Sequence, residues 1–190
     1  MFVLGISASP KKGITESLLD KALEGAAFIG CVTEKIVLAR LNYKACQDCG
    51  GCRDTGVCIL RDDMTRIYDK LIQADAVIVA SPIFFGSITA QLKAVIDRCQ
   101  CIWVSRYVKE DIPSRTNRSR GLFICASGAD KESFFRNAKE IVRIFFATNG
   151  IEYWGELFLG GHDLKTPAEV AREGYMQKAF SLGVEIGKNA

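Results

Sequence analysis

Apolar and polar positions along this chain change period several times. Phe2 to Ser7 is a short apolar run that closes on small and turn-forming residues, which predicts a strand buried on both faces. From Thr15 the spacing becomes helical, with Leu18, Leu19, Ala22, Leu23 and Ala26 on one stripe. Val32 to Leu38 reads as a second strand. Asp62-Asp63 opens a helix with acidic residues in its first turn, where they suit the helix dipole, and Met64, Ile67, Tyr68, Leu71 and Ile72 form its apolar face. Ala76 to Ala80 is a central strand bounded by Ser81-Pro82, and Leu92, Val95 and Ile96 carry the next helix. A longer connection runs from about 101 to 117. Gly121 to Ala126 is a fourth strand, Glu132 to Thr148 a helix, Glu152 to Leu159 a fifth strand, and Pro167 to Gly187 a closing helix with Pro in its first turn.

Strand and helix alternate five times, which predicts one α/β domain over 1–190: a doubly wound parallel sheet in three layers. Such a sheet binds ligands beyond the C-terminal ends of its strands. Three loops leave those ends. Ser7 to Ser17 joins a strand to a helix start and carries the hydroxyls of Ser9, Thr15 and Ser17 with Lys11 and Lys12. It lacks both G-x-x-x-x-G-K-[ST] and G-x-G-x-x-G, so it is neither a triphosphate loop nor a dinucleotide fingerprint. Two readings remain: a phosphate monoester site, or a helix cap at Thr15 beside solvated lysines. Ala80 to Thr89 holds Phe84 and Phe85, which either face a planar ligand beside Gly86 or cap the sheet and meet another subunit. Ala126-Ser127-Gly128-Ala129 is small enough for a flat ligand to approach.

Composition adds the thiols. Cys46, Cys49, Cys52 and Cys58 follow C-x2-C-x2-C-x5-C within a loop at about 45–60. Thiolates are soft ligands, and this spacing can bring four to one centre: an iron–sulfur cluster, a zinc, or a loop with no metal. Structural zinc more often uses two separated C-x2-C pairs, and His162, the one histidine, is remote. Cys31, Cys99, Cys101 and Cys125 sit among apolar residues and read as small hydrophobes. No run of eighteen apolar residues is present, and Met1 to Ile6 has no basic segment before its apolar run. The expectation is a cytoplasmic protein with no membrane span and no signal peptide, in a compartment that disfavours disulfides.

Charge changes the picture little. Of a net +3, the excess lies between Cys101 and Arg120, where Arg106, Lys109, Arg115, Arg118 and Arg120 face Glu110 and Asp111. That segment either attracts a phosphorylated nicotinamide or is a solvated connection. No nucleic-acid motif accompanies it.

Ser9-Pro10-Lys11-Lys12-Gly13 with Thr15-Glu16, then Ser81-Pro82-Ile83-Phe84-Phe85-Gly86-Ser87 with Gln91-Leu92-Lys93 and Asp97-Arg98, resembles the NAD(P)H-dependent FMN reductases of the flavodoxin-like group. The cysteine run followed by Asp62-Asp63-Met64 resembles the iron–sulfur flavoproteins within it. The resemblance implies a flavodoxin-like three-layer α/β/α sandwich with a five-stranded parallel sheet of order 2-1-3-4-5. It places FMN phosphate at Ser9, Lys11, Thr15, Glu16 and Ser17, and the isoalloxazine against Pro82, Ile83, Phe84, Phe85, Gly86 and Ser87, closed by Ser127 and Gly128. Cys46, Cys49, Cys52 and Cys58 would hold a [4Fe–4S] cluster. Electrons would come from NAD(P)H or ferredoxin, in a homodimer or homotetramer with FMN near a subunit interface. The phosphate loop departs from the family pattern, with Lys11 where Arg is usual and Ile14 where Asn is usual. A plain flavin or quinone reductase and a non-enzymatic redox carrier are the two other readings.

Overall fold

The computed structural model describes residues 1–110, 119–161, 169 and 174–189. The expected helix start at Pro167, and Arg115, Arg118 and His162, lie outside the described residues. Five parallel strands, β1 (Phe2–Ser7), β2 (Val32–Val37), β3 (Ala76–Pro82), β4 (Ser119–Ala126) and β5 (Ile151–Leu159), form one sheet in the order β2-β1-β3-β4-β5. The expected strands are all present. Leu38 belongs instead to a short 3-10 turn after β2, and β3 runs on through Pro82.

The helices are α1 (Ile14–Phe28), α2 (Met64–Gln73), α3 (Ala90–Arg98), the short α4 (Gln100–Trp103), α5 (Glu132–Thr148) and α6 (Tyr175–Asn189). A π-helical turn, Val104–Val108, follows α4. Side chains alternate across each strand, so the central strands feed two separate cores. Val3, Ile78, Leu122 and Ile124 pack with Leu18, Leu19 and Ala22 of α1 and with Ala179 and Ile186 of α6. Leu4, Ile6, Val77, Val79 and Phe123 pack on the other face with α2, α3 and α5. Gly25 and Gly183 let α1 and α6 touch backbone to backbone, since a Cβ at either would strike the carbonyl of Phe180 or Ala22.

Strand order reverses between β1 and β3, and that switch point opens the crevice where ligands of such sheets lie. The loops after β1, β3 and β4 therefore share one edge.

Candidate functional site

The loop after β1 is tied directly to the loop after β3. Ala8 N–H donates to Ala80 O at 2.8 Å, and Thr89 Oγ1 donates to Ala8 O at 3.0 Å. Ser9 is buried, and its hydroxyl donates to Lys11 O at 2.7 Å, which folds the loop back on itself. Of the two readings of this loop, the cap at Thr15 is not found: Gly13 holds the N-cap position of α1 and supplies no side-chain cap. Ser17 N–H, bonded to Gly13 O at 3.0 Å, makes the first intrahelical contact, so the N–H groups of Ile14, Thr15 and Glu16 precede the helical ladder. An anion fits such a terminus. Thr15 is buried beside it, Ser17 Oγ donates back to Gly13 O at 3.1 Å, and Lys11 and Lys12 are exposed. The Glu16 carboxylate is turned away from this role; it is buried and paired with Lys35 Nζ at 2.9 Å, and Lys35 also holds Asp20 at 2.6 Å.

The loop after β3 contains a tight hairpin. Phe84 N–H donates to Ser87 O at 2.9 Å and Ser87 N–H to Phe84 O at 3.1 Å. The two residues between, Phe85 and Gly86, have φ of +50° and +75°, the geometry of a type I′ turn. Glycine takes that conformation freely, whereas phenylalanine does so at a cost. Phe85 is fully exposed at 109%, and Phe84 is half exposed, so neither caps the sheet. Asn137 of α5 fixes the turn by donating to Gly86 O at 2.9 Å. Pro82 is buried at the end of β3, and Ile83 N–H donates to Ala126 O at 2.8 Å, which ties this loop to the one after β4. There Ser127 is buried, with its N–H on Leu159 O at 2.8 Å, and Gly128 is partly exposed.

The cysteines occupy the connection between β2 and α2. Its two ends are stitched together: Asp63 Oδ2 accepts from Asn42 N–H at 2.7 Å, and Asp62 Oδ2 accepts from Lys44 N–H at 3.1 Å. This corrects the expectation that Asp62 and Asp63 lie in the first turn of α2 for the dipole. They precede that turn, and their carboxylates close the neck of the loop. Asp48, Gly50 and Gly56 take positive φ and reverse the chain inside it. A side chain at Gly56 would strike Ser105, whose hydroxyl donates to Gly56 O at 3.1 Å.

Within this frame Cys46, Cys49, Cys52 and Cys58 all border one cavity of about 100 Å³. Cys46 and Cys49 are exposed, while Cys52 and Cys58 are partly buried. Burial pushes the Cys52 thiol up; a backbone hydrogen bond opposes that shift and the neighbouring Cys58, Cys46 and Cys49 add to it. Among the described residues, no three Cys, His, Asp or Glu side chains converge on a single-ion position. The donors surround a space.

Residues outside the cysteine loop also border that cavity: Arg98, from the end of α3, Gln100 and Cys101, from α4, and Val104, from the π-helical turn. Cys99, Cys101 and Cys125 are buried as expected, and burial pushes the Cys99 thiol up to about 12. The sequence pointed to Cys101 only as a small hydrophobe. Its approach to the cysteine loop follows the one-residue break at Cys99 between α3 and α4. Thr89 caps the start of α3, with its Oγ1 accepting from Leu92 N–H at 3.4 Å, and Arg98 ends it. The strained turn and the cysteine cavity are therefore joined by nine residues of helix, about 14 Å along its axis.

Fold and switch-point loops together define a flavodoxin-like α/β protein built to take a phosphate-bearing planar ligand. The same architecture is seen in an NAD(P)H:quinone oxidoreductase from Methanothermobacter marburgensis, with a TM-score of 0.74 at 21% identity over 98% of this chain and 96% of that one. This chain belongs to the NADPH-dependent FMN reductase family, whose model matches residues 1–147. It is 31% identical to an iron-sulfur flavoprotein of Methanocaldococcus jannaschii over 150 residues, covering 78% of this chain and 72% of that protein. It is 42% identical to an iron-sulfur flavoprotein of Methanosarcina thermophila over 99 residues, 52% of each, so the chain spans about half the length of that relative. No helix among the described residues is long and apolar enough to cross a membrane.

Proposed function

We propose that this protein is an FMN-dependent oxidoreductase of iron–sulfur flavoprotein type, which moves electrons between NAD(P)H or a ferredoxin, FMN and a [4Fe–4S] cluster. One observation carries the reading: a member of the FMN reductase family presents four thiols around a single cavity at the far end of the helix that leaves its flavin loop. When bound, FMN exchanges electrons in pairs or singly, and a cluster exchanges them singly.

The chain's own residues bind and orient. The first-turn N–H groups of α1, through Thr15 and Glu16, would hold the phosphate with the Thr15 hydroxyl; the Ser9 and Ser17 hydroxyls, which donate to Lys11 O and Gly13 O in this structure, would join them only by turning away from those carbonyls. Lys11 would add a point charge without the two-pronged contact of an arginine. Lys35 neutralises Glu16, so its carboxylate does not repel that phosphate. Pro82, Ile83, Phe84, Phe85, Gly86 and Ser87 would border the ring, with Ser127 and Gly128 opposite. The turn presents Phe85 fully exposed, where a planar ligand can meet it. Cys46, Cys49, Cys52 and Cys58 supply four soft donors and no hard ones, and donors spread around a space suit separate irons of one cluster. No side chain is needed as nucleophile or general base.

The test is anaerobic reduction of FMN-loaded protein by NADH, NADPH or a reduced ferredoxin, followed in the flavin bands. Bleaching by at least one of these donors is expected, with slower transfer to a one-electron acceptor in Cys49→Ser. Full turnover in Cys49→Ser would reduce the protein to a plain flavin or quinone reductase. Failure of the chain to take up FMN would overturn the reading.

A further inference from the structure

Arg98 is the largest fully buried side chain in the described structure, with 1% of its side chain exposed. A buried guanidinium is costly unless each of its N–H groups finds a partner. Most of them do: Nη1 donates to Asp62 Oδ2 at 2.8 Å and to Lys44 O at 2.8 Å, and Nη2 to Asp62 Oδ1 at 3.1 Å. Nε is buried and finds no acceptor among the described residues. Arg98 also forms part of the wall of the four-thiol cavity. Arg53 and Asp48 border it too, but both are exposed and opposite in charge, so solvent screens them. A buried cation whose Nε has no acceptor among the described residues thus borders the cavity that four sulfur donors line.

We propose that Arg98, oriented by Asp62, is a positioning residue that tunes the redox centre held by Cys46, Cys49, Cys52 and Cys58: its buried charge favours the reduced form. The inference rests on the function proposed above. Reduction brings one electron from an external reductant, needs no proton, and makes the centre one charge more negative. A fixed cation in the cavity wall stabilises that added charge, and net charge is among the things that set such potentials. Asp62 acts in the opposite sense. It holds Arg98 in place while offsetting part of its charge. A purely mechanical role, in which Arg98 ties Lys44 to Asp62 at the loop neck, would alter iron retention and leave the potential unchanged.

The experiment is an EPR-monitored potentiometric titration of anaerobically purified full-length protein, with iron measured on each sample. Wild type is compared with Arg98→Gln and Asp62→Asn. At the wild-type midpoint, Arg98→Gln is expected to lower the reduced-to-oxidised ratio at least tenfold, about 59 mV for a one-electron couple. Asp62→Asn, which removes the counter-charge and keeps one of the two acceptor oxygens, is expected to raise that ratio. Equal midpoints for wild type and an iron-replete Arg98→Gln overturn the proposal and leave the proposed function standing. If Arg98→Gln loses its iron, Asp62→Asn decides: a higher midpoint supports the proposal, and an unchanged or lower one overturns it. Iron-free wild type, after anaerobic reconstitution, overturns the cluster reading and this inference with it.

Discussion

Replacing Phe85 by Asn separates what the hairpin costs the fold from what it gives the ligand. Phe85 sits at φ +50° with its side chain fully exposed, so the substitution removes no buried surface. Left-handed backbone costs an ordinary L residue roughly 1–2 kcal/mol, and Asn tolerates it better and favours type I′ turns when followed by Gly. The hydrogen bonds of Phe84 with Ser87 and of Asn137 with Gly86 involve other residues and persist. The flavin-free variant should therefore gain about 1 kcal/mol, which for a chain of this size raises Tm by roughly 2–4 °C. The ring has the opposite value once ligand is present. Stacking of a flat heterocycle on an aromatic side chain is worth about 1–3 kcal/mol, so FMN should bind about tenfold more weakly or worse. Calorimetry of flavin-stripped protein and fluorescence titration with FMN measure the two effects separately. A lower Tm would refute the strain argument, and unchanged FMN affinity would refute the placement of the ring.

Three further substitutions probe the rest of the site. Gly13→Asp enters open space at the uncapped start of α1; it should leave Tm unchanged or higher while weakening FMN binding at least tenfold, about 1.4 kcal/mol by fluorescence titration. Asp62→Ala leaves the buried Arg98 without its partner and should cost about 3 kcal/mol in urea unfolding at pH 7. Burial opposes ionisation of Asp62, but Arg98 and the N–H groups of Lys44 and Met64 outweigh it and hold the carboxyl below its ordinary 3.8. That stabilisation is present above pH 3.8 and is lost as pH falls through the folded value, so the gap between wild type and variant should close in acid. Cys101→Ala should keep its full iron content, since the four motif thiols suffice, whereas Cys49→Ser should lose iron; equal loss in both would place a ligand on α4.

Much of this was legible from local pattern. The strands announce themselves because a parallel strand covered on both faces is a continuous apolar run, and Ala76 to Ala80 could be little else. The bounds of α5 coincide with those expected from its periodicity alone. The cysteine motif is visible because four ligands within one loop need no tertiary contact to be neighbours. Arg98 and Cys101 were not legible as part of that centre. Arg98 falls beyond the apolar positions Leu92, Val95 and Ile96 that predict its helix, Cys101 opens the connection expected from about 101, and only the path from α3 into α4 brings them to the loop. Asp62 and Asp63 misled for a related reason: acidic residues ahead of an apolar stripe suit a helix start, yet here backbone N–H groups of Asn42 and Lys44 claim them. The strain at Phe85 was equally hidden, because Phe-Gly does not signal a type I′ turn as Asn-Gly does.

The most direct test is the content of protein purified without oxygen: flavin, iron and acid-labile sulfide per chain, with the visible spectrum. The account predicts one FMN with about four irons and four sulfides per chain, and a broad charge-transfer shoulder beneath the flavin bands. Flavin without iron, even after anaerobic reconstitution, would contradict the cluster on Cys46, Cys49, Cys52 and Cys58, and protein that takes up neither would contradict the assignment of the switch-point loops as well.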